Sequence, residues 1–387
     1  MSLTLFISLI AFALSFCLTG LTLIVAKKKR WFDFHDSRKV HQGNVPRLGG
    51  IGFCLTFFIM IIVIELVSPN TLVGSRLLPV CIGGLSCFLI GIRDDFKSIP
   101  SRYRLIVQCF AGVLVSLAGY GFNRMFFFDL SITRMIDNLA LLNFFNNIQW
   151  LWSVITIFWV VGIINAVNFI DGVDGLSAGF ACFASAGYML FFHYNPGFGS
   201  SSILCAVLIA SLLGFLVFNW PFPHAKIFMG DGGAYFLGFI LATLPLINDN
   251  DIIGDLDIAS IMAQFDIDGS FINPFKSNIP LFYAAAFMLI PIMDTTFATF
   301  WRMHHHIKID TPDRIHIHHK LMNLKVPALG IDAFIYSLEI IVSLLAVYSS
   351  TQSTLPSLFY LFSAYLIVLV FFLVVSRLNS KHEKTLF

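Results

Sequence analysis

Eleven apolar runs recur along this chain, at roughly residues 3–26, 49–68, 77–93, 104–121, 150–168, 177–193, 201–220, 233–248, 280–299, 329–349 and 356–376. As a helix, a run of about 20 residues covers the ~30 Å hydrocarbon core of a bilayer. Inside that core the backbone must satisfy its own polar groups, so spanning segments are helices or closed barrels. Runs this long and this apolar favour helices. The expectation is an all-α polytopic membrane protein with about 11 transmembrane helices. Composition agrees, with 57% hydrophobic and only 12% charged residues, against about 25% charged in soluble domains. The first run is longer than the apolar core of a signal peptide and lacks a small-residue cleavage site, so it reads as a helix.

Lys and Arg set the orientation. With eleven spans and the N-terminus outside, all but four of the 24 basic residues fall on inner segments, the exceptions being Arg76, Arg124, Arg134 and Lys276. The positive-inside rule then places the C-terminus in the cytoplasm. Net charge is only +2, so its distribution is more informative than its sum, and nucleic acid is not an expected partner. All seven cysteines lie within apolar runs without paired spacing, which excludes a disulfide framework or a zinc site and leaves small buried hydrophobes. Neither an internal repeat nor a separate soluble domain is evident. Residues 1–387 therefore read as one membrane domain.

Five polar stations interrupt this apolar background, all on predicted inner loops. Asn165-Ala-Val-Asn168-Phe-Ile-Asp171-Gly-Val-Asp174-Gly175 closes the fifth run and crowds oxygen ligands where it meets water. Gly172 and Gly175 point to a helix end and a tight turn. Such ligands suit a hard cation or the hydroxyls and amides of a polar substrate; a solvated loop is the plain alternative. His41…Pro46-Arg47-Leu-Gly49-Gly50 offers Arg47 to a phosphate, and its paired glycines either approach an anion or pack closely. Asp94 and Asp95 are adjacent carboxylates at a lipid–water boundary, where they repel each other unless a cation or proton holds them. Gly230-Asp231-Gly232-Gly233 presents a carboxylate in open backbone space, with an ordinary helix N-cap as its competing role.

The inner loop after the ninth run carries two histidine groups, His304–His306 and Asp313-Arg314-Ile-His316-Ile-His318-His319. Neither has zinc-finger spacing or cysteine neighbours, and residue chemistry alone does not choose between them. Asp294, near the inner end of the ninth run, is a carboxylate in an apolar span and must find a partner. Outside, residues 122–149 and the aspartate-rich 248–278 read as accessory loops. The latter fits no EF-hand spacing.

In order along the chain, His41…Pro46-Arg47-Leu-Gly-Gly, Asp94-Asp95, Asn165–Gly175, Met229-Gly-Asp231-Gly and Pro312-Asp-Arg-Ile-His-Ile-His-His319 resemble the motifs of the polyprenyl-phosphate N-acetylhexosamine-1-phosphate transferases, across about residues 27–325. The resemblance implies a Mg²⁺-dependent enzyme, for which Mn²⁺ can substitute. It would move a sugar 1-phosphate from a UDP-N-acetylhexosamine, UDP-GlcNAc above all, onto undecaprenyl phosphate, yielding UMP. By the same resemblance Asp231 is a metal ligand, and Asp94 is the base for the lipid phosphate with Asp95 in support. Asn168, Asp171 and Asp174 line the nucleotide and metal pocket, as Arg47 does for substrate. Arg314, His316, His318 and His319 sit over the phosphates, which leaves His304–His306 outside the site. The implied setting is the bacterial inner membrane with a cytoplasmic active site; a homodimer is compatible with it. The Pro-Asp-Arg-x-His-x-His-His form is similar to the branch that initiates O-antigen, common-antigen and teichoic-acid synthesis. Gly232-Gly233 departs from the larger or hydroxyl residues of many members.

Three rivals stand beside this reading. The phospho-MurNAc-pentapeptide translocases carry a three-histidine run in place of His316–His319. A secondary transporter would place acids near the bilayer midplane within repeated halves. A non-catalytic scaffold has no need of five polar stations.

Overall fold

The computed structural model describes residues 3–32, 45–69, 71–72, 77–122, 149–195, 197–220, 224–247, 279–308 and 314–385. His41, Asp313 and nearly all of the two external loops lie outside them. Among the described residues the chain forms thirteen α-helices and a short 3-10 turn, with no strand. They are α1 (Leu3–Lys29), α2 (Gly50–Val67), α3 (Leu78–Phe96), α4 (Ser101–Leu117), α5 (Gln149–Ile170), α6 (Leu176–Tyr194) and α7 (Gly199–Asn219). Then follow α8 (Gly230–Thr243), α9 (Leu281–Ala286), α10 (Leu289–His304), α11 (Ile317–Asn323), α12 (Ala328–Ser350) and α13 (Thr354–Thr385).

Each predicted apolar run is helical. Among the described residues, seven helices, α1, α2, α5, α6, α7, α12 and α13, are long and apolar enough to cross a membrane. The remaining runs fall short for local reasons. α3 and α4 carry Arg93, Asp94, Asp95, Arg102 and Arg104 in their terminal turns. The ninth run is split at Phe287-Met288 into α9 and α10. Pro291 explains the break, because its ring clashes with the carbonyl four residues earlier and its nitrogen donates no hydrogen bond.

The helix that positions the site is α8. Its 14 residues extend only about 21 Å at 1.5 Å per residue. Apart from Asp231, which is partly exposed, all of them are buried. α8 packs against α2, α3, α5 and α6, so the bundle is wrapped around it. The approach is close enough to need glycine: a Cβ on Gly233 would lie 2.8 Å from the Gly50 Cα and 2.5 Å from the Met229 Cγ. The Gly232-Gly233 departure seen in the sequence therefore has a packing cause, since α2 and α3 leave no volume for a side chain there.

Candidate functional site

The site is assembled at the N-terminus of α8. Successive residues on a helix point about 100° apart, so Asp94 and Asp95 leave α3 in different directions. Asp95 turns toward α8. Its Oδ1 accepts the Asp231 backbone N–H at 2.8 Å and its Oδ2 accepts that of Gly232 at 3.0 Å. A carboxylate borrowed from α3 thus caps α8, where the helix dipole favours negative charge. Asp94 turns toward α4. Its Oδ2 accepts from Arg104 Nη1 at 2.9 Å and its Oδ1 from the Ile99 backbone N–H at 2.7 Å. Arg104 also donates to the Tyr235 hydroxyl at 3.0 Å, tying α4 to α8.

The segment around Arg47 is held by backbone pairing rather than by an anion. Phe228 N–H donates to the Pro46 carbonyl, and the amides of Gly49 and Gly50 donate to the carbonyls of Phe228 and Met229, all at 2.8 Å. The glycine pair expected either to cradle an anion or to pack closely does the latter. Gly230 makes the turn into α8 with φ +78°, a conformation costly for any residue with a Cβ. Arg47 is carried alongside, its Nη2 3.7 Å from Asp231 Oδ1 and its Nε 4.0 Å from Asp95 Oδ1. From α5, Asn168 Nδ2 donates to the same Asp231 oxygen at 3.0 Å. Asp231 is therefore met by an arginine and a carboxamide, with its side chain still 17% exposed.

α5 stops at Ile170 and α6 begins at Leu176, as Gly172 and Gly175 foretold. Gly175, at φ +82°, is fixed from both sides. Its N–H donates to Asn219 Oδ1 at 3.0 Å, and its carbonyl accepts the Tyr336 hydroxyl at 2.6 Å. Within the loop, Asp171 accepts a hydrogen bond from Ser177 Oγ. Burial pushes the Asp171 carboxyl up to about 6; Ser177 and Arg47 oppose this, while the charges of Asp231 and Asp174 add to it. Asp174 is buried and accepts from the Ala225 backbone N–H at 3.3 Å.

The histidine wall closes the other side. A Cβ on Gly172 would lie 2.7 Å from His318 Cε1, so the loop and this ring are in contact. His318 is buried, and its Nδ1 has no hydrogen-bond partner among the described residues. Burial first, then neighbouring His319 and His316, holds its pKa well below the usual imidazole value, so the ring is neutral at pH 7. His316 Nδ1 lies 2.8 Å from Asp294 Oδ2, which supplies the partner that the sequence demanded for Asp294. His319 is half-buried, 4.2 Å from His318 between ring centroids. Arg314 is exposed, and so are all of His304, His305 and His306.

Asp95, Asp231, Asn168 and Arg47 thus form one linked cluster, which Asp94 adjoins through Arg104, Tyr235 and the charge of Asp231. Asp171 feels the same charges, and His318 abuts the Asp171–Gly175 loop. Sequence reasoning missed Arg104, Tyr235, Ser177, Asn219 and Tyr336. Only Arg104 carried a signal, because an arginine facing into a bundle requires a carboxylate. Among the described residues no three acidic, cysteine or histidine side chains converge as a ready-made metal cage.

Comparison with known proteins follows the same lines. Residues 77–248 match the model of Glycosyl transferase family 4. The chain is 29% identical over 366 residues to the "Probable undecaprenyl-phosphate N-acetylglucosaminyl 1-phosphate transferase" of Bacillus subtilis, covering 95% of this chain and 90% of that one. It is 28% identical over 306 residues to the "Undecaprenyl-phosphate alpha-N-acetylglucosaminyl 1-phosphate transferase" of Escherichia coli K12, covering 77% and 71% respectively. With the "Phospho-N-acetylmuramoyl-pentapeptide-transferase" of Staphylococcus carnosus it shares 28% identity over 214 residues, 54% of this chain and 64% of the other.

Proposed function

We propose that this chain is a member of glycosyl transferase family 4, whose model matches residues 77–248, and that the cluster at the α8 N-terminus is where it transfers N-acetylglucosamine 1-phosphate from UDP-GlcNAc to undecaprenyl phosphate. The observation that carries the location is the convergence of Asp95, Asn168 and Arg47 on Asp231 from three separate elements. In the reaction, an oxygen of the lipid phosphate attacks the sugar-bearing phosphorus of the donor. The bond from that phosphorus to the bridging oxygen breaks, and UMP departs with the bridging oxygen. The products are undecaprenyl-diphosphate-GlcNAc and UMP, the first lipid-linked step of a cell-surface glycan. The shorter overlap with the pentapeptide translocase, 54% of this chain against 95%, makes that substrate the lesser reading.

The protein's own contribution is positioning and charge. Asp94, aimed by Arg104 and the Ile99 amide, is our candidate acceptor for the proton of the lipid phosphate. A phosphate monoester loses that proton with a pKa near 6, about two units above an ordinary carboxylic acid, so the demand on the base is modest. Asp95 keeps Asp231 in register through the α8 amides. Arg47 offers a guanidinium to the phosphates. Asn168, Asp171 and Asp174 bound the nucleotide side, and the neutral His318 with His316 and His319 borders the diphosphate.

Asp231 would hold magnesium, which when bound neutralises the donor diphosphate and the departing UMP. The residues fit such an ion. Asp231 and Asn168 provide hard oxygen atoms, and Asp94, Asp95 and Asp171 all lie within reach of the Asp231 charge. That concentration of negative charge is costly without a cation. Mg²⁺ typically uses one or two carboxylates together with waters and phosphates, a demand that Asp231 and its neighbours can meet. We also place the site on the cytoplasmic face of an eleven-span, N-out protein in the inner membrane, supported by the Lys and Arg distribution.

The test is UMP release by purified protein from UDP-GlcNAc and undecaprenyl phosphate. Asp231→Asn should lower Mg²⁺-dependent turnover by roughly 10³-fold or more, the scale of lost charge stabilisation, without unfolding the protein. Unchanged turnover removes the metal assignment, and a preference for UDP-MurNAc-pentapeptide in a donor panel restores the translocase reading.

A further inference from the structure

We propose that Asp294 is a positioning residue: it locks His316 into one tautomer and one orientation beside the transfer site. This inference rests on the transferase reading above.

Asp294 sits in α10, three residues beyond Pro291, and is only 3% exposed. A buried carboxylate is tolerated where donors satisfy it. Asp294 has two, both from the start of α11. Its Oδ1 accepts the Ile317 backbone N–H at 2.7 Å, and its Oδ2 faces His316 Nδ1 at 2.8 Å. The first bond matters for the second. A backbone amide is only a donor, so it fixes which oxygen Asp294 turns toward the ring. An ionised carboxylate is only an acceptor, so Nδ1 must carry the ring proton. In the neutral ring the lone pair then resides on Nε2.

Ring rotation is restricted as well. Phe169 packs at 5.2 Å between centroids, and His318 lies parallel at 6.0 Å with 3° between the planes. Phe169 adjoins Asn168, the residue that donates to Asp231. The imidazole that Asp294 holds is thus one residue removed from the carboxylate centre. Carboxylates that orient imidazoles through Nδ1 are a recurrent device in catalytic and metal sites. His316 precedes α11 and makes no side-chain cap bond of its own, so a cap supplied by Asp294 is the structural alternative to be separated.

Asp294→Asn separates them. The amide is nearly isosteric but offers one acceptor and one donor where both partners donate, so it cannot serve His316 Nδ1–H and Ile317 N–H together. With full-length protein, UDP-GlcNAc and undecaprenyl phosphate, we expect kcat to fall about 100-fold or more, with KM for either substrate changed by less than roughly 3-fold. Asp294→Glu should recover part of the loss, because it restores an acceptor-only group. The decisive measurement is the double-mutant cycle. In a His316→Gln background, adding Asp294→Asn should cost less than about 3-fold further, since the two residues act as one unit. If the losses multiply instead, Asp294 serves the α11 cap alone and the inference fails.

His316→Gln by itself leaves the Asp294–Ile317 bond intact, so it provides a folded variant even where Asp294→Asn is unstable. Wild-type kcat in His316→Gln also overturns the inference. A wild-type protein that releases no UMP from any UDP-sugar would instead overturn the transferase reading.

Discussion

Two histidine runs stand close together in this chain, and the fold treats them in opposite ways. His304 is the last residue of α10, His305 and His306 follow it, and all three are exposed; His305 stacks on Trp301 at 4.1 Å, with its Nδ1 2.8 Å from the Trp301 carbonyl oxygen. His316 and His318 are 6% and 2% exposed, one held by Asp294 and the other against Gly172. The residue type is the same, so the difference lies in what each backbone segment docks against. The exposed run has solvent for a neighbour, whereas α11 is pinned to α10 by Asp294 and to the Asp171–Gly175 loop by a ring contact. Burial then sets the chemistry. His318 is kept neutral because burial and two neighbouring imidazoles disfavour its charge.

The sharpest way to break this contrast is His318→Gln. It should reduce kcat by about 10²–10⁴-fold in UMP release, the usual weight of a positioned imidazole. A variant within a few-fold of wild type would make the buried run ordinary packing. Next in size is Gly172→Ala. The added methyl meets the His318 ring, with Cε1 2.7 Å and Cδ2 2.9 Å from it. Displacing the ring should cost roughly 10- to 100-fold in kcat, and no loss would uncouple the loop from the histidines.

A smaller, pH-dependent effect should come from Asp171. Its carboxyl is pushed up to about 6, so kcat/KM should fall through that region as the pH is lowered if its charge assists the reaction. Asp171→Asn should flatten that limb. The stability consequence has the opposite sense. The folded state binds this proton more tightly than the unfolded chain, whose aspartates titrate near pH 4. The resulting stabilisation is present below about pH 4 and is lost as pH rises toward about 6. A thermal-unfolding series of wild type against Asp171→Asn over this window measures it directly. The least effect belongs to the exposed run: replacing His304–His306 together with glutamine should leave turnover within about 3-fold, as surface substitutions usually do. A large loss there would reverse the roles of the two runs.

Much of the candidate site was legible because its residues are out of place in an apolar chain. Asp94, Asp95, Asp171, Asp231 and Asp294 are each expensive beside lipid, and that expense marks them from sequence alone. Their individual duties were not legible. Asp94 and Asp95 are indistinguishable as letters, yet the 100° step along α3 sends one to Arg104 and the other to the α8 amides. Tyr336 and Asn219 gave no signal at all, because they bond backbone groups, among them those of Gly175, far away in the chain. Gly232-Gly233 read as a departure from pattern, and only the contacts with Ile92 and Gly50 explain it.

By itself the sequence determined the helical, membrane-spanning character of this protein, because hydrocarbon permits few backbone solutions and eleven apolar runs restrict them further. It also marked which side chains are candidates for chemistry, through their cost in that environment. Tertiary structure alone decided who meets whom. A short buried helix, α8, gathers Asp95, Asn168 and Arg47 around Asp231, and a cap on α11 selects one histidine run over the other. Those choices depend on helix rotation and docking across long stretches of chain, which local composition does not encode.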